Sequence, residues 1–223
     1  MRRRVVVVEA AVSVFVVAML LVGCNDPADD LRSGDLNERI QAIRQLAREG
    51  GDSAAQQIAE AVAHPDEATA AEAVRGLGRI AKPRAAEALV AVAEADKRPR
   101  VRAEAAVQLG RRRDASAART LRALVKSDPD PVVRGAAAMG LGHQGNLADV
   151  TGLLDVAESD PDPVVQSRAV GAIEQMIGLR FKFDPWASDE ERAKAMQRVR
   201  YLAPHAATFL QEWQAAQDKG KQP

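Results

Sequence analysis

The hexapeptide Asp-Pro-Asp-Pro-Val-Val occurs twice, at Asp128–Val133 and at Asp160–Val165. The two copies start 32 residues apart. Working outward, Leu77-Gly78, Leu109-Gly110 and Leu141-Gly142 keep the same step, and the next step lands on Ile173. Four residues before each stands an alanine: Ala73, Ala105, Ala137 and Ala169. Val101, Val133 and Val165 lie eight residues before it, and Pro99, Pro131 and Pro163 ten before. Leu46, with Ala42 and Asp35 ahead of it, marks an earlier copy at a step of 31. Five copies thus start near Asp35, Asp66, Arg98, Asp130 and Asp162. A fixed period of this length is the mark of a solenoid.

Each copy reads as two helices. Asp130 is placed to accept hydrogen bonds from first-turn N–H groups, and Pro131 brings the φ angle that a first helical position needs. Val133, Ala137 and Leu141 share one face. Gly142 and Gly145 are expected to end the helix in a left-handed turn. A second helix follows, with core positions at Leu89 and Val92, Leu121 and Leu124, Leu153 and Val156. The hexapeptide recurs because each copy must stop one helix, turn and start another in the same geometry.

The pattern DPxVRxxAAxxLG resembles HEAT-like repeats, in particular the short bacterial kind named from phycobilin lyases. The resemblance covers Asp35 to about Ile177 and implies an all-α, right-handed α-solenoid of about five two-helix repeats. It also implies a polar ladder of arginines following the valine. Arg39, Arg102 and Arg134 match that position, whereas Ala70 and Gln166 interrupt it.

The first 24 residues read differently. Arg2, Arg3 and Arg4 precede an uncharged run from Ala10 to Gly23. As a helix this run covers about 21 Å, short of the ~30 Å hydrocarbon core. The length is that of a signal-peptide core. Leu21-Val22-Gly23-Cys24 resembles the lipobox of bacterial lipoproteins, whose cysteine is lipidated and becomes the new N-terminus. The chain's single cysteine falls there. A plain signal anchor, or a cleaved peptide with a free thiol, is the competing reading. The resemblance implies a lipid anchor on Cys24 and a place in the bacterial cell envelope, with inner and outer membrane leaflets both open. Each buried CH₂ contributes ~0.8 kcal/mol to such an anchor. The expected organisation is a lipoprotein signal peptide over 1–23, a tether over 24–34, the repeat array over 35–178 and a C-terminal helical cap over 179–223.

The period fails beyond the array. Every aromatic residue after residue 23 lies there: Phe181, Phe183, Trp186, Tyr201, Phe209 and Trp213. Ser188 with Glu191 forms a capping box, which starts a helix near Asp189. Ala193, Met196, Val199 and Leu202 are spaced for its buried face. Pro204 either kinks that helix or starts another. The segment resembles C-terminal extensions of bacterial HEAT-repeat proteins, a likeness to which no activity attaches. The bulky residues suit a cap over the last repeat, since Ile173 and Ile177 there have no following neighbour. The alternative is an aromatic binding patch centred on Trp186 and Trp213.

Nothing in the sequence points to catalysis. The three histidines, His64, His143 and His205, form no His-Glu pair, and His64 and His143 are expected in loops. No zinc spacing, Walker loop, GxGxxG or GxSxG occurs, so neither metal nor cofactor is expected. The formal net charge is +0, which gives no general attraction to nucleic acid. One basic cluster lies in or beside the third copy: Lys97, Arg98, Arg100, Arg102, Arg111, Arg112, Arg113, Arg119, Arg122 and Lys126. It lacks the aromatic residues that HEAT-like DNA glycosylases combine with such charge, so no nucleic-acid partner is expected. A solvated surface with arginine–carboxylate pairs accounts for the same cluster.

The sequence therefore reads as a non-enzymatic, membrane-tethered scaffold for an unidentified protein. The docking surface is the row of second helices, which lines the curved inner face in such arrays. Arg119, Arg122 and Lys126 there stand near Glu87, Glu94, Asp149 and Asp155. By family resemblance alone, a chromophore lyase or chaperone is the alternative. The absence of aromatic residues from the repeats argues against a tetrapyrrole pocket.

Overall fold

The computed structural model describes residues 27–113 and 115–219. The expected signal peptide and Cys24 lie outside them. Among the described residues the regular structure is helical: α1 (Pro27–Asp30), α2 (Leu36–Glu49), α3 (Gly51–Val62), α4 (Glu67–Arg79), α5 (Pro83–Ala95), α6 (Pro99–Arg112), α7 (Ala115–Ser127), α8 (Pro131–Gln144), α9 (Val150–Ser159), α10 (Pro163–Ile177) and α11 (Asp189–Lys219). A 3₁₀ turn at Leu147–Asp149 leads into α9.

The helices form an α-solenoid. The first helices of the five repeats (α2, α4, α6, α8, α10) stack in one row, and the second helices (α3, α5, α7, α9) in another. The periodic residues fill the space between the rows: Leu77, Leu109, Leu141 and Ile173 are buried, as are Leu89, Leu121 and Leu153 on the second helices. Each such side chain contributes roughly 1.5–3 kcal/mol. The fifth repeat has no second helix. Its place is taken by the segment 178–188 and α11, which packs on α9 and α10 and closes the end of the array.

Gly142 does not end its helix as expected; like Gly110, it sits where two first helices come into close contact. A Cβ on Gly110 would lie 2.5 Å from Gly140 Cα, and one on Gly142 would lie 2.9 Å from Ala172 Cα. These glycines let first helices touch backbone to backbone. Gly145 alone ends α8, with φ +69° and its N–H on the Leu141 carbonyl. Helix α8 therefore runs through Gly142, and His143 lies in its last turn, not in a loop.

The repeated hexapeptide is resolved atom by atom. Its second aspartate caps the following helix: Asp130 accepts from Val132 N (2.8 Å), and Asp162 from Val164 N (2.8 Å) and Val165 N (3.2 Å). Its first aspartate builds the turn, Asp128 accepting from Asp130 N and Asp160 from Asp162 N, both at 2.9 Å. The same carboxylate takes the arginine from the first helix of the repeat that this turn closes. Arg102 donates to Asp128 through two nitrogens, each at 2.9 Å, and Arg134 to Asp160 at 2.7 and 2.9 Å.

The ladder is less interrupted than the sequence suggests. Gln166 keeps the inward bond of the missing arginine, donating to the Asp160 carbonyl at 2.8 Å. Near Ala70, Arg98 fills in from the next repeat: it donates to the carbonyls of Val62 (2.7 Å) and His64 (2.8 Å) and pairs with Asp96. His64 stands where later repeats have the turn aspartate and accepts from Asp66 N through Nδ1 at 3.0 Å.

Candidate partner-binding surface

Most of the basic cluster is consumed by the fold. Besides Arg98 and Arg102, Arg112 donates to the carbonyls of Ile80 and Lys82 at 2.7 and 3.0 Å, and Arg111 reaches Gln108. Arg100 lies 3.7 Å from Glu67. Arg122 grips Asp149 at 2.5 and 3.1 Å. This hydrogen-bonded pairing raises the affinity of the Arg122 guanidinium for its proton. Lys97, Arg113, Arg119 and Lys126 make no side-chain ion pair or hydrogen bond among the described residues.

Arg119, Arg122 and Lys126 follow at i, i+3 and i+7, so they share the exposed face of α7. The outer two remain available while Arg122 pins α7 to the 3₁₀ turn before α9. Of the expected acidic neighbours, Glu94 accepts from the Thr120 hydroxyl at 3.0 Å and Asp149 is held by Arg122. Asp155 lines the cleft beside α7, and Glu87 is exposed.

That cleft separates α7 from α9. It consists of two spaces of about 420 and 300 Å³ that share Val125, Lys126 and Gly152. Leu141, Leu153 and Val156 line it as well, so its floor is apolar while Lys126 and Asp155 stand at its edges. The opening has a local cause. One repeat earlier, Thr120 fills the corresponding helix position and ties α7 to Glu94 on α5. On α9 the position is Gly152, and a Cβ there would meet nothing within 4 Å. A glycine in a second helix, where the neighbouring copy has threonine, is the sequence signal that marks this gap.

Trp186 and Trp213 line neither part of the cleft. Trp186 lies in the turn before α11 and is 75% exposed, and Trp213 on α11 is 54% exposed. The end of the array is covered instead by Phe181 (3% exposed), by partly buried Phe183, and by Ala195, Val199, Ala203 and Ala207. The capping box starts α11 as its spacing predicts, Glu191 N donating to the Ser188 hydroxyl at 3.3 Å. Helix α11 then runs unbroken through Pro204. Of the expected buried face, Val199 is buried and Met196 packs against the core, whereas Ala193 and Leu202 are exposed.

The histidines do not converge. His64 serves its turn, while His143 and His205 face the carbonyls of Met139 and Tyr201 one turn back on their own helices. Among the described residues no group of three or more His, Cys, Asp or Glu side chains is arranged to hold a metal ion. No helix among them is long and apolar enough to cross a membrane.

A profile of HEAT repeats matches residues 28–106 and 87–174, most of the chain. The chain belongs to the HEAT-repeat family. Among solved structures, the HEAT-repeat chain is similar to the complex of CpcE and CpcF of phycocyanin lyase from Nostoc sp. PCC7120. The identity is 22% and the TM-score 0.52, over 69% of this chain and 64% of that one. It thus spans a little under two thirds of that lyase chain, and the likeness is one of fold. A designed armadillo repeat protein is similar at 17% identity and a TM-score of 0.46, over 81% of this chain and 98% of that one. No curated protein matches the sequence.

Proposed function

We propose that this HEAT-repeat protein is a non-enzymatic scaffold that holds another protein on its row of second helices, at the α7–α9 cleft. The observation that carries the reading is the uncommitted cation Lys126 at the edge of an apolar-floored gap, with Arg119 two turns earlier on the same exposed face of α7. Fixed charges at the rim of an apolar floor favour a partner segment with an apolar anchor and a flanking carboxylate. The repeats, residues 35–178, contain no Phe, Tyr or Trp to stack on a planar chromophore, which favours a scaffold over a lyase. The same proposal places the protein on a bacterial envelope membrane through a lipid on Cys24, on the strength of the lipobox-like Leu21–Cys24.

Two experiments test it. Crosslinking from a photoreactive residue at Gly152 in intact membranes should give one discrete adduct, lost in Lys126→Glu and kept in Trp213→Ala. An adduct indifferent to Lys126→Glu would remove the cleft from consideration. Metabolic labelling with a fatty-acid analogue should mark the wild-type chain and not Cys24→Ala. Equal labelling of the two would sink the anchor.

A further inference from the structure

Helix α11 carries two apolar rows. Ala195, Val199, Ala203 and Ala207 are spent against the array. The second row is Leu202, Ala206, Phe209 and Trp213, spaced four, three and four residues, which is the seam of a two-helix pair. Its bulky members are open, Leu202 at 42%, Phe209 at 66% and Trp213 at 54% exposed, while Ala206 is partly buried where the row borders the array. Residues 211–218 are exposed on every side, so the end of α11 projects beyond the last repeat.

We propose that this seam pairs with the same seam of a second copy of the chain, antiparallel about a two-fold axis between Ala207 and Thr208. In an isologous contact every facing pair has the same sum of residue numbers. Leu202 opposite Trp213 and Ala206 opposite Phe209 meet that condition together. Each large ring then faces a smaller side chain, and the volumes match. A parallel pair would set Trp213 against Trp213 and Ala206 against Ala206, crowding one layer and emptying the other.

Charge favours the same occupant. Between residues 201 and 217, Glu212 is the only Asp, Glu, Lys or Arg, and the antiparallel arrangement brings it alongside His205 of the second copy. Helix α11 has five basic residues (Arg192, Lys194, Arg198, Arg200, Lys219) and five acidic ones. Two identical surfaces of this kind do not repel, and an anionic lipid surface gains nothing from them. The seam from Leu202 to Trp213 is about 17 Å long, which suits a reversible, micromolar contact. It is a different surface from the α7–α9 cleft and stands whether or not that cleft binds a partner.

Sedimentation equilibrium of the full chain in a mild, density-matched detergent at about 10 μM tests the proposal. The wild type should be mainly dimeric. Phe209→Glu and Trp213→Glu should each weaken the dimer roughly tenfold or more, with an unchanged melting temperature showing that the fold persists. A second measurement uses Cys24→Ser chains carrying either His205→Cys or Glu212→Cys, mixed and mildly oxidised. The mixed disulfide should predominate. A monomeric wild type, a dimer that survives both glutamate variants, or a predominance of like-with-like disulfides would each overturn the pairing. A monomer that binds neutral phosphatidylcholine vesicles, and loses that binding in the glutamate variants, would assign the seam to lipid instead.

Discussion

Arg134, in the first helix of the fourth repeat, and Asp160, in the turn that leads into the fifth, meet through two parallel hydrogen bonds, Nε to Oδ2 at 2.7 Å and Nη2 to Oδ1 at 2.9 Å. Their side chains are only 12% and 5% exposed. The geometry is the bidentate fork that only arginine supplies.

Breaking this pair from one side should be costly. Arg134→Ala leaves the Asp160 carboxylate, at the edge of the α7–α9 cleft, with the Asp162 N–H as its remaining partner and should cost about 1–3 kcal/mol in urea denaturation. Arg134→Lys should recover only part of that. An Arg134→Met/Asp160→Leu double variant should lose far less than the single change, because no charge is then stranded. Equal losses in single and double variants would mean that the pair is not the source of the stability.

Acid should weaken the array in a defined window. Burial raises the Asp160 carboxyl, but the bonds from Arg134 and Asp162 N and the Arg134 charge outweigh it, leaving the group below its ordinary 3.8. Arg98 does the same to Asp96. Glu72 is raised by burial and then carried below 4.5 by Arg44 and Arg75. Folded values below unfolded ones mean that the stabilisation is full above about pH 4.5 and drains away as pH falls through the depressed values. Melting temperatures should be flat from pH 7 to 5 and fall steeply below 4. A midpoint that rises on acidification would contradict the ladder.

Two glycines should respond in opposite directions to alanine. Gly110→Ala drives a Cβ to 2.5 Å from Gly140 Cα and should destabilise by about 1–3 kcal/mol. Gly171, inside α10, has nothing within 4 Å of an added Cβ, so Gly171→Ala should stabilise by up to ~1 kcal/mol. Denaturation midpoints of the two variants, measured side by side, check the backbone contact between α6 and α8.

The C-terminal cover should likewise divide by burial. Phe181→Ala should cost about 3–5 kcal/mol, whereas Trp213→Ala, half exposed, should leave the melting temperature within about a degree of wild type. A large loss in Trp213→Ala would show that its ring has a partner in the isolated chain.

The repeat was plain in the sequence because helix caps, core leucines and prolines obey one period. The two aspartates of Asp-Pro-Asp-Pro were harder to separate. Asp130 answers to its own helix, a local rule, while Asp128 answers to Arg102, 26 residues earlier. The small residues misled most. In α11, alanines stand on several faces, so spacing alone did not distinguish Ala193 and Leu202 from Ala195 and Ala203. Only contact with α9 and α10 selects the row. Bulk was only half a guide: Phe181 and Phe183 help the alanines and Val199 to seal the array's end, while Phe209 and Trp213 stay outside. Gly152 was missed because an absent side chain leaves no pattern, only a departure from the copy before it.

The shared aspartates also bear on how the protein comes apart. Asp128 anchors the arginine of the repeat that it closes and shapes the turn into the next, so neither repeat melts without loosening the other. The strongest coupling joins the copies that contain Arg102 and Arg134. Ala70 and Gln166 mark the borders where the side-chain link weakens. Opening should therefore begin as fraying from the two ends and meet a cooperative block at the centre. Amide hydrogen exchange should be slowest in α6 and α8, faster in α2 and α10, and fastest where α11 runs past the array.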